Sequence, residues 1–138
     1  MLSRYTGDGI QGIRIADGLS NSSGRVEVLV FGEWGTLCDD SWDLLDAMVV
    51  CKQLGYQTAL TGPREAYFGR GTGLIWMDNV QCRGNEVSLS ECSQPPLGEH
   101  DCDHSKDAGV VCGGKNIHPR LAESNRNYRY FGNLDIKV

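Results

Sequence analysis

The residues of this chain best suited to covalent chemistry are six cysteines: Cys38, Cys51, Cys82, Cys92, Cys102 and Cys112. The last three gaps hold nine residues each, and no two cysteines stand close enough for a CxxC. Structural zinc sites bring paired ligands a few residues apart, so this spacing disfavours thiolate–metal chemistry. An even count without metal spacing reads as a disulfide framework, and such frameworks persist outside the reducing cytosol. Spacing alone leaves open which of the fifteen connectivities is used.

Other chemistry-bearing residues give weaker patterns. His100 and His104 stand four apart, as helical zinc ligands do, but Pro95, Pro96 and Gly98 place them on a loop, where surface or capping roles are favoured. Ser41, His104 and Asp107 hold the residue types of a hydrolytic triad, yet no nucleophile-elbow motif surrounds Ser41. Phe68-Gly69-Arg70-Gly71-Thr72-Gly73 is glycine-rich but lacks the following Lys-Ser/Thr and the strand–loop–helix setting of a phosphate cradle. No acid–base pair or nucleophile constellation stands out, and the chain is not read as an enzyme.

Charge narrows the partners. Residues 1–114 carry 8 Lys/Arg against 16 Asp/Glu, and residues 115–138 carry 5 against 2. An acidic body argues against nucleic acid as the natural ligand. No run of apolar residues is long enough to span a membrane, so direct insertion is not expected. The first residues lack the apolar stretch of a secretory leader, so an exported reading makes the chain a segment of a larger protein. Asn21-Ser22-Ser23 is a glycosylation sequon among turn formers, which fits an exposed loop.

The elements that must position these groups are short. Ile13 and Ile15, then Val26, Val28 and Val30, alternate with polar residues or glycine, the pattern of strands with one buried face. Phe31 to Gly35 reads as a hairpin turn leading a strand into Cys38. Asp43 is placed to cap a helix, on which Ala47, Val50, Cys51 and Leu54 share one apolar face, with Gly55 as its stop. Leu74 to Val80 is a further strand carrying Trp76, Val87 to Glu91 a single helical turn, and Val110-Val111 a last strand into Cys112. Trp34, Trp42 and Trp76 are expected as core and turn residues. Eighteen glycines favour turns over long helices. The expected organisation is a flexible segment at 1–11, one domain at 12–113, and a polar basic stretch at 114–138 that is a tail, a linker or the start of a following segment.

Several segments together resemble a known family. They are Gly24-Arg25-Val26-Glu27-Val28, Trp34-Gly35-Thr36-Leu37-Cys38-Asp39-Asp40-Ser41-Trp42 and Val49-Val50-Cys51-Lys52-Gln53-Leu54-Gly55-Tyr56. They continue through the glycine-rich loop at Phe68–Gly73, Ile75-Trp76-Met77-Asp78-Asn79-Val80-Gln81-Cys82 and Asp107-Ala108-Gly109-Val110-Val111-Cys112. Over residues 12–113 the chain resembles a scavenger receptor cysteine-rich domain of the six-cysteine (group A) kind. The resemblance implies a small disulfide-rich α+β fold, a curved antiparallel β-sheet cradling one α-helix. It also implies the pairs Cys38–Cys102, Cys51–Cys112 and Cys82–Cys92. It further implies an extracellular, secreted or receptor-ectodomain recognition module without catalysis, of the innate-immunity type, that binds protein, glycan or polyanionic ligands, often with calcium. The alternative is a regulatory exosite domain of a larger extracellular protease or oxidase.

With the implied Cys38–Cys102 bridge, Asp39 and Asp40 are drawn toward Asp101 and Asp103, and calcium takes hard carboxylate oxygens. In calcium-binding members of the family the two aspartates act with a glutamate, and here Lys106 stands in that glutamate's place. Asp39, Asp40 and Asp103 are the expected calcium ligands, with Lys106 as the competing charge. Arg64, Arg70 and Arg83, from separate loops, are the candidate anion-binding residues, since a guanidinium fork suits sulfate, phosphate and carboxylate.

Overall fold

The computed structural model describes residues 9–114 and the backbone of 128–132. The remaining parts of the expected terminal segments lie outside the described residues. Among the described residues, seven strands and one helix form the fold: β1 (Ile10–Asp17), β2 (Ser23–Val30), β3 (Glu33–Leu37), α1 (Leu44–Gln53), β4 (Thr58–Thr61), β5 (Leu74–Met77), β6 (Gly109–Gly113) and β7 (Tyr128–Gly132). Single 3-10 turns sit at Leu89–Glu91 and His104–Lys106.

The sheet is organised by β2. One edge of β2 pairs antiparallel with β1 along its length. The other edge is divided, with Ser23–Arg25 paired to β6 and Glu27–Val30 paired to β3. Strands that share one edge in this way diverge, and the sheet curls around α1. The hairpin from β2 to β3 turns at Phe31 and Gly32, whose φ angles of 51° and 78° both lie in the left-handed region that such a turn requires.

Three features differ from the sequence reading. β1 begins at Ile10, inside the 1–11 stretch expected as a flexible segment, where Ile10 is buried and pairs with Val30. The sheet is mixed rather than wholly antiparallel: β5 runs parallel to β3, after the chain has crossed over through α1 and β4. Within the expected tail, β7 pairs with β1, from Gly12↔Gly132 to Ala16↔Tyr128.

The helix forms for the local reasons the sequence offers. Asp43 accepts from the amides of Leu45 and Asp46, and the Asp46 carboxylate accepts from the Asp43 amide, completing a capping box. Ala47, Val50, Cys51 and Leu54 are fully buried against the sheet. Gly55, at φ 96°, takes the left-handed turn after the helix. The core joins this face to Ile13, Ile15, Val26, Val28, Leu37, Met77 and Leu89.

Three disulfides staple the elements. Cys51–Cys112 fixes α1 to β6, Cys38–Cys102 fixes the end of β3 to the loop before the second 3-10 turn, and Cys82–Cys92 closes a ten-residue loop. These are the pairs the resemblance implies. Trp42 and Trp76 are buried, with indole N–H groups donating to the carbonyls of Gly109 and Glu33. Trp34 is half-buried, under the guanidinium of Arg14 at 4.1 Å.

Candidate ligand-binding site

The segment after β3 and the segment after Cys102 meet beside the Cys38–Cys102 disulfide. The Asp39 amide donates to the Lys106 carbonyl at 2.8 Å, and Cys38 and Asp107 form an isolated antiparallel bridge. Around this junction lies an open cleft of about 620 Å³, lined by Asp39, Asp40, Arg64, Glu65, Ser105 and Lys106.

Asp39 organises one wall. Its buried carboxylate accepts the Glu65 amide at 2.7 Å, and its carbonyl accepts two bonds from the Arg64 guanidinium at 3.2 and 2.7 Å. The Ala66 amide donates to the Asp107 carbonyl at 3.0 Å. Glu65 and Ala66 both hold left-handed backbone, at φ 59° and 53°, a conformation costly for residues with a side chain. Hydrogen bonds donated by the Glu65 and Ala66 amides to Asp39 and Asp107 hold this turn in place.

Asp40 faces Lys106, whose Nζ lies 2.5 Å from Asp40 Oδ1. The bond to Asp40 holds the Lys106 ammonium above the usual lysine range. Asp103 turns elsewhere. Its Oδ1 accepts from the Ser105 amide and hydroxyl, with Arg70 3.9 Å away, and the Ser105 bonds hold its carboxyl below the usual range. The three expected calcium ligands are thus each engaged by groups of the protein: Asp39 by Glu65, Asp40 by Lys106, and Asp103 by Ser105.

A carboxylate that the sequence reading passed over lies on the other side of Asp40. Asp78 is 4% exposed, and its Oδ1 has no hydrogen-bond partner among the described residues. Burial, followed by the nearby charge of Asp40, raises its pKa, against opposing hydrogen bonds from the Asn79 and Asp101 amides. Carboxylate oxygens of Asp40 and Asp78 come within 4.8 Å of each other beside the disulfide. The signal was present in the sequence as an aspartate directly after a buried strand, where an apolar neighbour would be ordinary.

The glycine-rich loop is a mount. The Arg25 guanidinium donates to the Gly69 carbonyl at 3.2 Å, the Gly71 amide donates to the buried Asp107 carboxylate at 2.7 Å, and His104 Nε2 lies 3.0 Å from the Gly73 carbonyl. Between these ties Arg70 projects with its side chain 64% exposed. Arg25 is itself held by a buried ion-pair chain through Glu27 to Arg14. Arg64 and Lys106 line the cleft, and Arg70 reaches toward Asp103 beside it. Arg83 belongs to the Cys82–Cys92 loop, where its amide and that of Gly84 bond Glu86, and it does not line the cleft.

The enzymatic pattern does not assemble. Ser41 donates to Asn79 at 3.1 Å, while His104 bonds Asp107 and Gly73. His100 Nδ1 accepts from the Cys102 amide.

Comparison with known proteins agrees with this architecture. The family model "Scavenger receptor cysteine-rich domain" matches residues 16–113. The third SRCR domain of murine neurotrypsin is 52% identical, over 72% of this chain and 94% of that one, with a TM-score of 0.68. The SRCR domain of mouse MARCO, solved in a dimeric form, is 49% identical, over 70% of this chain and 90% of that one, with a TM-score of 0.63. Domains of this kind are generally extracellular, disulfide-bonded recognition modules without catalysis of their own. With these matches and three disulfides from six cysteines, the chain belongs to the scavenger receptor cysteine-rich family and fits its group A type.

Proposed function

We propose that this domain is a non-catalytic extracellular module that binds anionic groups of a protein, glycan or polyanion along the cleft between Asp39 and Lys106. The observation that carries this reading is Arg70, exposed on a loop tied at Gly69, Gly71 and Gly73 beside a cleft that already holds Arg64 and Lys106. A pinned loop loses little conformational freedom on binding, so an arginine fork mounted on it retains more of its interaction energy. The acidic body limits non-specific attraction to polyanions and leaves recognition to this local patch.

Calcium is the candidate cofactor, and Asp40 with Asp78 fits it better than Asp39, Asp40 and Asp103 do. Asp78 supplies a buried carboxylate oxygen without a partner among the described residues, and a hard cation would offset the burial and the Asp40 charge that raise its pKa. Lys106 on Asp40 works against the cation, so affinity on the order of 10⁻⁴ to 10⁻³ M, the range of extracellular modules, is expected.

The test is retention on a dextran-sulfate column beside a neutral dextran column. Retention on the first alone, reduced by salt, supports the reading; passage through both without delay overturns it. Calorimetric titration tests the cation separately, with heat expected at millimolar calcium for the wild type and none for Asp78→Asn. An absence of heat in both discards calcium.

A further inference from the structure

The turn between β1 and β2 carries a modification motif that ligand binding does not explain. Asn21 is exposed at the tip of this turn, and its carbonyl accepts the Tyr56 hydroxyl at 3.0 Å. The rest of the motif is closed in. The Ser22 carbonyl accepts the Cys112 amide at 2.7 Å, and Ser23 pairs with Val111 in β6. Ser23 is 6% exposed, and its hydroxyl oxygen accepts the Ser20 amide at 3.3 Å.

We propose that Asn21 is N-glycosylated during synthesis, and that docking of β6 with closure of Cys51–Cys112 ends the interval in which this can happen. In the transfer, the Asn21 side-chain nitrogen forms a bond to the anomeric carbon of an oligosaccharide carried on a polyprenyl diphosphate. The bond from that carbon to the diphosphate oxygen breaks, the lipid diphosphate leaves with the electron pair, and the amide gives up one proton. The transferase reads the hydroxyl two residues beyond the asparagine as part of its acceptor motif. In the folded domain the acceptor amide is accessible, but the Ser23 hydroxyl lies in a strand edge sealed by β6.

Chain order supplies the interval. Cys112 follows Asn21 by 91 residues. At about 5–20 residues per second of synthesis, the motif precedes its sealing strand by roughly 5–20 s. After folding, the Tyr56 bond holds the base of the attached sugar on a fixed turn.

The chain, expressed through a eukaryotic secretory pathway behind a cleavable leader, tests both parts. Site occupancy is read by mass after amidase release, which converts a glycosylated asparagine to aspartate. Wild type is expected to carry sugar at Asn21 on a fraction of molecules, and Asn21→Gln none. Paired Cys51→Ser and Cys112→Ser substitutions should raise the occupied fraction about twofold, because disulfide closure on a seconds-or-longer scale ends the interval. A brief pulse of reductant on wild type should do the same, and reads the effect even if the paired variant is degraded. Bare Asn21 with and without the pulse overturns the site. A filled site that neither the pulse nor the paired variant changes overturns the competition with folding.

Discussion

Lys106 Nζ lies 2.5 Å from Asp40 Oδ1, so a lysine ammonium sits against one of the carboxylates best placed to take a cation. The same ammonium is near enough to Asp39 and Asp101 for both to raise its pKa further. Lys106→Glu exchanges this internal positive charge for another oxygen donor. Calcium affinity should rise by about tenfold, since ligand charge count sets affinity at such sites. Calorimetric titration of variant and wild type gives the comparison, and equal affinities would show that Lys106 does not compete with the ion.

The mount of Arg70 makes a separate prediction. A Cβ at Gly71 would lie 2.6 Å from Thr36 Cγ2 and 3.1 Å from Arg25 Nε. Gly71→Ala must therefore push the loop away from Arg25 and Asp107. A loss of about 1–3 kcal/mol in unfolding free energy is expected from such overpacking. Binding to dextran sulfate should fall with it while the rest of the domain stays folded, measured by denaturant melts and column retention on one preparation. A variant that keeps full binding would show that the ties at the loop do not position Arg70.

Stability should decline as pH rises toward neutrality. Asp46 is fully buried in the capping box, and burial pushes its carboxyl from 3.8 up to about 7, against the opposing bonds from the Cys82 and Asp43 amides. The folded state thus holds a proton that the unfolded chain releases, so this contribution is complete below 3.8 and is lost as pH rises through about 7. Asp78 acts in the same sense. Glu86 and Asp103 act in the opposite sense, but below their ordinary values of 4.5 and 3.8. The interval between about pH 5 and 7 therefore reports Asp46. Thermal melts across that interval should show a falling Tm, with a shallower slope for Asp46→Asn. An unchanged slope would assign the effect elsewhere.

The staples should differ in worth. Cys51–Cys112 spans 61 residues and Cys82–Cys92 spans 10. Loop-closure entropy predicts a loss of about 4 kcal/mol for Cys51→Ala with Cys112→Ala, against about 3 kcal/mol for Cys82→Ala with Cys92→Ala. Denaturant melts of the two paired variants measure both, and a larger loss from the short loop would point to packing rather than chain entropy.

The sequence showed most where local chemistry decides. The Asp43 cap, the apolar face ending at Leu54 and the alternation of Ile13 with Ile15 all act within one element, and each appears in the fold, while the turn expected over Phe31 to Gly35 is confined to Phe31 and Gly32. The cysteine pairing was legible only through the family resemblance, because spacing leaves it open. What stayed hidden needed distant residues to meet. Alternation in β2 marks Arg25 and Glu27 as outward residues, yet both are buried, because Arg14 and the glycine-rich loop cover that face. The parallel placement of β5 depends on where the crossover lands. Asp78 has a role only through Asp40 and Asp101, which lie far from it in the chain. Of the three arginines grouped by charge, Arg64 lines the cleft and Arg70 stands beside it, while Arg83 sits in another loop.

That last distinction gives the most direct test of the binding face. Biosensor titrations against immobilised dextran sulfate should compare wild type, Arg70→Ala and Arg83→Ala at one ionic strength. Loss of a charge-assisted fork costs about 1.5–3 kcal/mol, so Arg70→Ala should weaken binding by about tenfold or more. Arg83→Ala should leave it nearly unchanged. Equal weakening by the two variants, or none by Arg70→Ala, would contradict a ligand seated at the Asp39–Lys106 cleft.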